Sequence, residues 1–100
     1  MVLSAILKTG KMKAYNLTVV GKVQGVWFRV STRKKAEELK IKGFVQNLPD
    51  SRVFIKAEGD DNAMIEFIHW CRQGPKHARV DKLIIEDTDV QEYEQFRIKY

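Results

Sequence analysis

Apolar and polar positions alternate from about Ala14 to Val20. Tyr15, Leu17 and Val19 share one face, Asn16 and Thr18 the other, as in a half-buried strand. After Gly21–Phe28 the spacing lengthens and predicts a helix to about Lys40. Val26, Val30, Ala36 and Leu39 would form its buried stripe, interrupted by Arg33. Alternation returns at Lys42–Asn47, with Gly43, Val45 and Asn47 on one face and Phe44 and Gln46 on the other. Leu48–Arg52 reads as a turn in which Pro49 sets φ. Val53, Ile55 and Ala57 then alternate with Phe54, Lys56 and Glu58, so these two strands predict a hairpin.

Gly59–Asn62 opens a second helix, with Asp60, Asp61 and Asn62 as candidate N-caps. Met64, Phe67, Ile68 and Cys71 recur at i, i+3, i+4 and i+7, and Gly74-Pro75 ends the pattern. Two further strands are predicted, at about Val80–Glu86 and Glu94–Lys99. The order β-α-β-β-α-β plus a last strand is that of an α+β, ferredoxin-like two-layer sandwich. Two helices would cover one face of an antiparallel sheet. Residues 1–13 are read as a flexible N-terminal extension, and residues 14–100 as one domain.

Composition is that of an ordinary globular protein, 44% apolar and 31% charged. No apolar run approaches the ~18 residues of a membrane span. Met1–Leu7 is apolar but short, with no basic side chain before it, so no secretory leader is predicted. The single cysteine, Cys71, rules out an internal disulfide and fits a reducing, cytoplasmic setting. Net charge is +5, which favours anionic partners. Arg33-Lys34-Lys35 is part of that excess and reads as a solvated helix face, with Glu37 and Glu38 close by.

The chemistry concentrates at Gly21–Arg29, between the first strand and the first helix. A glycine turn there aims backbone N–H groups at one point, at the positive end of the helix dipole. Arg29 adds a planar fork of donors suited to phosphate or carboxylate. A surface arginine is the plain alternative, yet its charge opposes the dipole, and a cation there makes more sense with an anion to hold. Asn47 ends a strand, where asparagine commonly begins a turn.

Two strings sharpen this reading. Val23-Gln24-Gly25-Val26-Trp27-Phe28-Arg29 resembles the V-Q-G-V-x-F-R signature of the acylphosphatase family. Gly43-Phe44-Val45-Gln46-Asn47 resembles its second signature, G-[FW]-V-x-N. The resemblance covers about Lys13 to Tyr100 and implies the same sandwich fold. It implies hydrolysis of small acyl phosphates, with no cofactor and no metal. By resemblance Arg29 binds the phosphate and Asn47 orients the attacking water. The backbone N–H groups of Gln24, Gly25, Val26, Trp27 and Phe28 form the cradle, where phosphate or sulfate would sit. Lys22 matches a basic residue usual in the family. A monomer is expected, with neither a membrane nor nucleic acid as partner. Two departures stand out: Lys40 and Ser51 lie where family members commonly carry glycine. Both are at element ends, away from Arg29 and Asn47.

Two rival functions share the fold. One is an RNA-binding module, since Lys42-Gly43-Phe44-Val45 faintly echoes a basic-Gly-aromatic motif. Gln46 and Asn47 then break the aromatic alternation that such a motif needs. The other is an anion-binding domain without turnover, as acylphosphatase-like domains are in some larger proteins, hydrogenase-maturation factors among them. His69 and His77 match no motif and receive no role.

Overall fold

The computed structural model describes residues 11–100. The elements are β1 (Met12–Lys22), α1 (Phe28–Glu38), β2 (Lys42–Asn47), β3 (Val53–Asp60), α2 (Asp61–Gln73), β4 (Arg79–Asp87) and β5 (Phe96–Lys99). The strands form one sheet in the order β4-β1-β3-β2-β5. Alternation dictates its faces: Leu17, Ile55 and Val45 lie opposite one another in register, and all are fully buried. α1 packs on β2 and β5, and α2 on β1, β3 and β4. Phe67 and Cys71 of α2 close the core from that side. Burial pushes the Cys71 thiol far above its ordinary pKa, so it is a packing group and not a nucleophile.

The ferredoxin-like α+β sandwich stands, with one correction. The sheet is mixed, not antiparallel throughout, because β5 runs parallel to β2. The link 88–95 turns the chain back from β4, at one edge, to β5 at the other. β5 therefore opposes β4 in direction and matches β2. Glu58 holds this link. Its carboxylate is 1% exposed and accepts the backbone N–H groups of Gln91 at 2.7 Å and Tyr93 at 2.6 Å. Two charge-assisted bonds compensate its burial.

Three smaller differences have local causes. β1 starts at Met12, which pairs with Asp60, and Lys13 pairs with Gly59. These two residues extend the sheet, while residues 1–10 of the expected extension lie outside the described residues. β5 is shorter than expected and begins at Phe96, which pairs with Gly43; the carbonyl of Gln95 accepts the N–H of Gly43 at 3.0 Å as the first bond of that parallel ladder. The stripe of α1 is Phe28, Thr32 and Ala36, and Val30 is 42% exposed. The helix starts after Val26, so a periodicity counted from that residue has the wrong phase. Among the described residues, no helix is long and apolar enough to cross a membrane.

Candidate active site

The loop between β1 and α1 is held by two apolar pegs. Val23 is 1% exposed and Val26 8%. The residues beside them take left-handed backbone: Gly25 at φ 74° and Trp27 at φ 64°. A Cβ at Gly25 would meet nothing within 4 Å, so conformation and not space calls for glycine there. Trp27 takes the same conformation with a side chain, at a cost of about 1–2 kcal/mol. It occupies the N-cap position of α1 and makes no side-chain cap bond. The first turn of the helix carries no acidic residue. No side chain therefore caps the N–H groups of this helix end, which leaves them available to an anion.

A cavity of about 360 Å³ opens in front of this loop. Gly25, Trp27, Phe28 and Arg29 line it from one side, and Asn47 from the end of β2. The parity of β2 explains the position of Asn47. It shares a face with Val45, which is fully buried on the helix side of the sheet. Gly43 shares that face too, and a Cβ on it would lie 1.9 Å from the carbonyl oxygen of Lys56. The second motif thus needs its glycine to let β2 and β3 pair closely. The Asn47 side-chain oxygen is buried without a hydrogen-bond partner, a state that costs about 1–3 kcal/mol unless a ligand or water fills it.

The structure brings Arg29 and Asn47 together from separate elements. Gln24 and Val26 do not line the cavity with their side chains. Val26 is in the core, and the amide of Gln24 donates to the carbonyls of Leu48 at 2.8 Å and Arg52 at 2.9 Å. Any part they take in a cradle runs through their backbone.

Sequence reasoning missed Tyr100 and Val30, which also line the cavity. The Arg29 guanidinium carbon lies 4.9 Å from the centroid of the Tyr100 ring, within cation–π range. The parallel register explains this: Gln46 pairs with Lys99, so Tyr100 follows beside Asn47.

Beyond the cavity, the hairpin turn is braced by Arg52 and Asp50. The Arg52 guanidinium donates to the Asp50 carboxylate at 2.7 Å and holds its carboxyl below the usual range. Among the described residues, no three His, Cys, Asp or Glu side chains gather as a metal site. On the opposite face of the sheet, the Phe44 ring carries the Lys99 ammonium 3.8 Å from its centroid. That contact occupies a face which RNA stacking would need.

A model of the acylphosphatase family matches residues 15–98. The chain is 47% identical over 89 residues to an acylphosphatase of Thermotoga petrophila, covering 89% of this chain and 99% of that one. Its structure resembles an acylphosphatase from Coxiella burnetii, with a TM-score of 0.85 and 40% identity over 88% of this chain and 93% of that chain. It also resembles one from Bacillus subtilis, with a TM-score of 0.86 and 32% identity over 90% and 100%. By its sequence and by its fold, the chain belongs to the acylphosphatase family of enzymes.

Proposed function

We propose that this chain hydrolyses the carboxyl–phosphate bond of small acyl phosphates, with the backbone cradle and Arg29 holding the phosphoryl group and Asn47 orienting the attacking water. The observation that carries this reading is the cavity itself. It joins an uncapped helix N-terminus, an arginine and a buried, unpartnered asparagine oxygen.

The chemistry asks for no more than these groups. The leaving group is a carboxylate, whose conjugate acid has a pKa near ~4, so it departs without a general acid. Transfer passes through a loose transition state in which positioning and charge stabilisation do most of the work. Cradle N–H groups and Arg29 neutralise the phosphoryl oxygens. The Asn47 oxygen accepts a hydrogen bond from water and aims it in line with the breaking bond. The water oxygen bonds to phosphorus, and the P–O bond to the acyl group breaks with its electron pair on the carboxylate. The water's proton passes to a phosphoryl oxygen of the substrate. No step calls on a metal, a cofactor or a nucleophilic side chain. A cytoplasmic monomer with phosphate or sulfate as a competing anion completes the reading.

The test is hydrolysis of benzoyl phosphate by the purified chain with a chelator present. Asn47→Ala should keep phosphate binding and lose turnover on the order of 10²–10³-fold, the effect of deleting one positioned transition-state contact. Full activity in Asn47→Ala would remove Asn47 from the mechanism. Absence of turnover in the folded, unaltered chain would favour anion binding without catalysis.

A further inference from the structure

Resting on that reading, we propose that Gln24 is a positioning residue whose side-chain amide fixes the distance between the phosphate cradle and Asn47. The two halves of the site come from different parts of the chain. The cradle precedes α1, whereas Asn47 ends β2, the strand on which α1 packs. Neither the buried Asn47 oxygen nor a cap bond at Trp27 ties them together. Gln24 does so indirectly.

Its backbone lies between Val23 and Gly25, both of which line the cavity. Its side chain leaves the cavity for the hairpin turn. One amide nitrogen donates to Leu48 at 2.8 Å and to Arg52 at 2.9 Å. An amide NH₂ has two hydrogens, so both are used. The two acceptors are the ends of the turn. The N–H of Leu48 also donates to Arg52 at 2.8 Å, and the next rung inward pairs Asn47 with Val53. Gln24 therefore clamps the rung beside Asn47, and Leu48 is bonded directly to Asn47.

A water held by Asn47 must lie in line with a phosphorus held by the cradle. Displacements of about 1 Å in such an arrangement can cost 10²-fold in rate. The Arg52–Asp50 brace and the Leu48–Arg52 bond hold the turn together internally, whereas Gln24 ties it to the cradle loop. If Gln24 only braced the turn, its loss would lower the melting temperature and leave the folded enzyme's turnover unchanged. If it positions Asn47, its loss lowers kcat and spares phosphate binding.

The experiment is a double-mutant cycle on benzoyl phosphate. Gln24→Met keeps the length of the side chain and removes both donors. We expect kcat to fall about 10- to 100-fold, with the inhibition constant of inorganic phosphate unchanged. In an Asn47→Ala background, Gln24→Met should cause no further loss, because there is no longer a positioned water to misplace. Gln24→Ala, which removes the donors without setting a charge against the two carbonyls, carries the same test should Gln24→Met not fold. An unchanged kcat overturns the proposal, as does a loss that multiplies with that of Asn47→Ala or is matched by weaker phosphate inhibition. If Asn47→Ala alone keeps full turnover, the reading of Asn47 fails and the strut fails with it. If Asn47→Ala loses turnover and Gln24→Met does not, only the strut fails.

Discussion

The two ends of α1 are finished in opposite ways. At the C-terminus the backbone closes on itself: Lys40 donates to Glu37 at 3.2 Å and Ile41 to Ala36 at 2.8 Å. This is a Schellman motif, with Lys40 left-handed at φ 60°. Its hydrophobic contact is present as well, since Ala36 and Ile41 are buried in one cluster. Lys35 in the last turn complements the dipole. The N-terminus has none of this. Trp27 is left-handed, exposed and makes no cap bond, no acid follows, and Arg29 opposes the dipole. A missing cap costs about 0.5–2 kcal/mol, and the conformation of Trp27 adds to it. The chain satisfies one helix end from within and leaves the other without a side-chain cap, where the proposed function places the phosphate.

Removing one charge at each end should separate the two ends most sharply. Arg29→Ala should lower kcat/KM on the order of 10²–10³-fold, with weaker inhibition by phosphate. Lys35→Ala removes an exposed pair with Glu38 at 3.5 Å, and its effect on stability should stay within about 1 kcal/mol with kcat/KM unaltered. Phosphate should raise the melting temperature of the unaltered protein and of Lys35→Ala, and do so far less for Arg29→Ala. Saturation at about 100 times Kd corresponds to about 2.7 kcal/mol of stabilisation. Equal stabilisation of all three proteins would mean that phosphate sits elsewhere.

A smaller effect is expected from the exposed ring beside Arg29. Tyr100→Ala removes the ring 4.9 Å from its guanidinium carbon. An exposed cation–π contact is worth about 0.5–1 kcal/mol, so phosphate binding should weaken about two- to fivefold. Tyr100→Phe keeps the ring and should bind like the unaltered protein. A loss as large in Tyr100→Phe as in Tyr100→Ala would assign the effect to the hydroxyl and not to the ring.

The same contrast explains what was legible in the sequence. Strand faces follow a period of two, so Leu17, Val45 and Ile55 could be assigned to the core without knowledge of their partners. Arg29 and Asn47 were singled out by the resemblance of two strings to family signatures, since by residue type alone Asn47 reads as the start of a turn. Tyr100 was not, because alternation along β5 does not reveal that it runs parallel to β2. Glu58 looked solvent-facing by parity, and only the aperiodic link 88–95 buries it. Val30 was misplaced because the helix begins beyond Val26, where a left-handed tryptophan resets the phase. The side chain of Gln24 lies inside a recognised motif, yet its partners lie 24 and 28 residues further along. Spacing within the motif carries no information about them.

The C-terminal end also permits the mildest test. Lys40 is exposed and holds a conformation that costs an L-residue about 1–2 kcal/mol. Glycine removes that cost but adds about 0.5–1 kcal/mol of unfolded-state entropy. Lys40→Gly should therefore stabilise the fold by roughly 0.5–1 kcal/mol, read as a higher urea midpoint at an unchanged slope. kcat/KM should not move, because the Schellman end lies at the far end of α1 from the cavity. Lys40→Ala separates the backbone from the charge: it removes the ammonium and keeps the Cβ, so it should gain nothing. If Lys40→Ala were as stabilising as Lys40→Gly, the charge would be responsible, and the strain assigned to left-handed residues at both ends of α1 would lose its support.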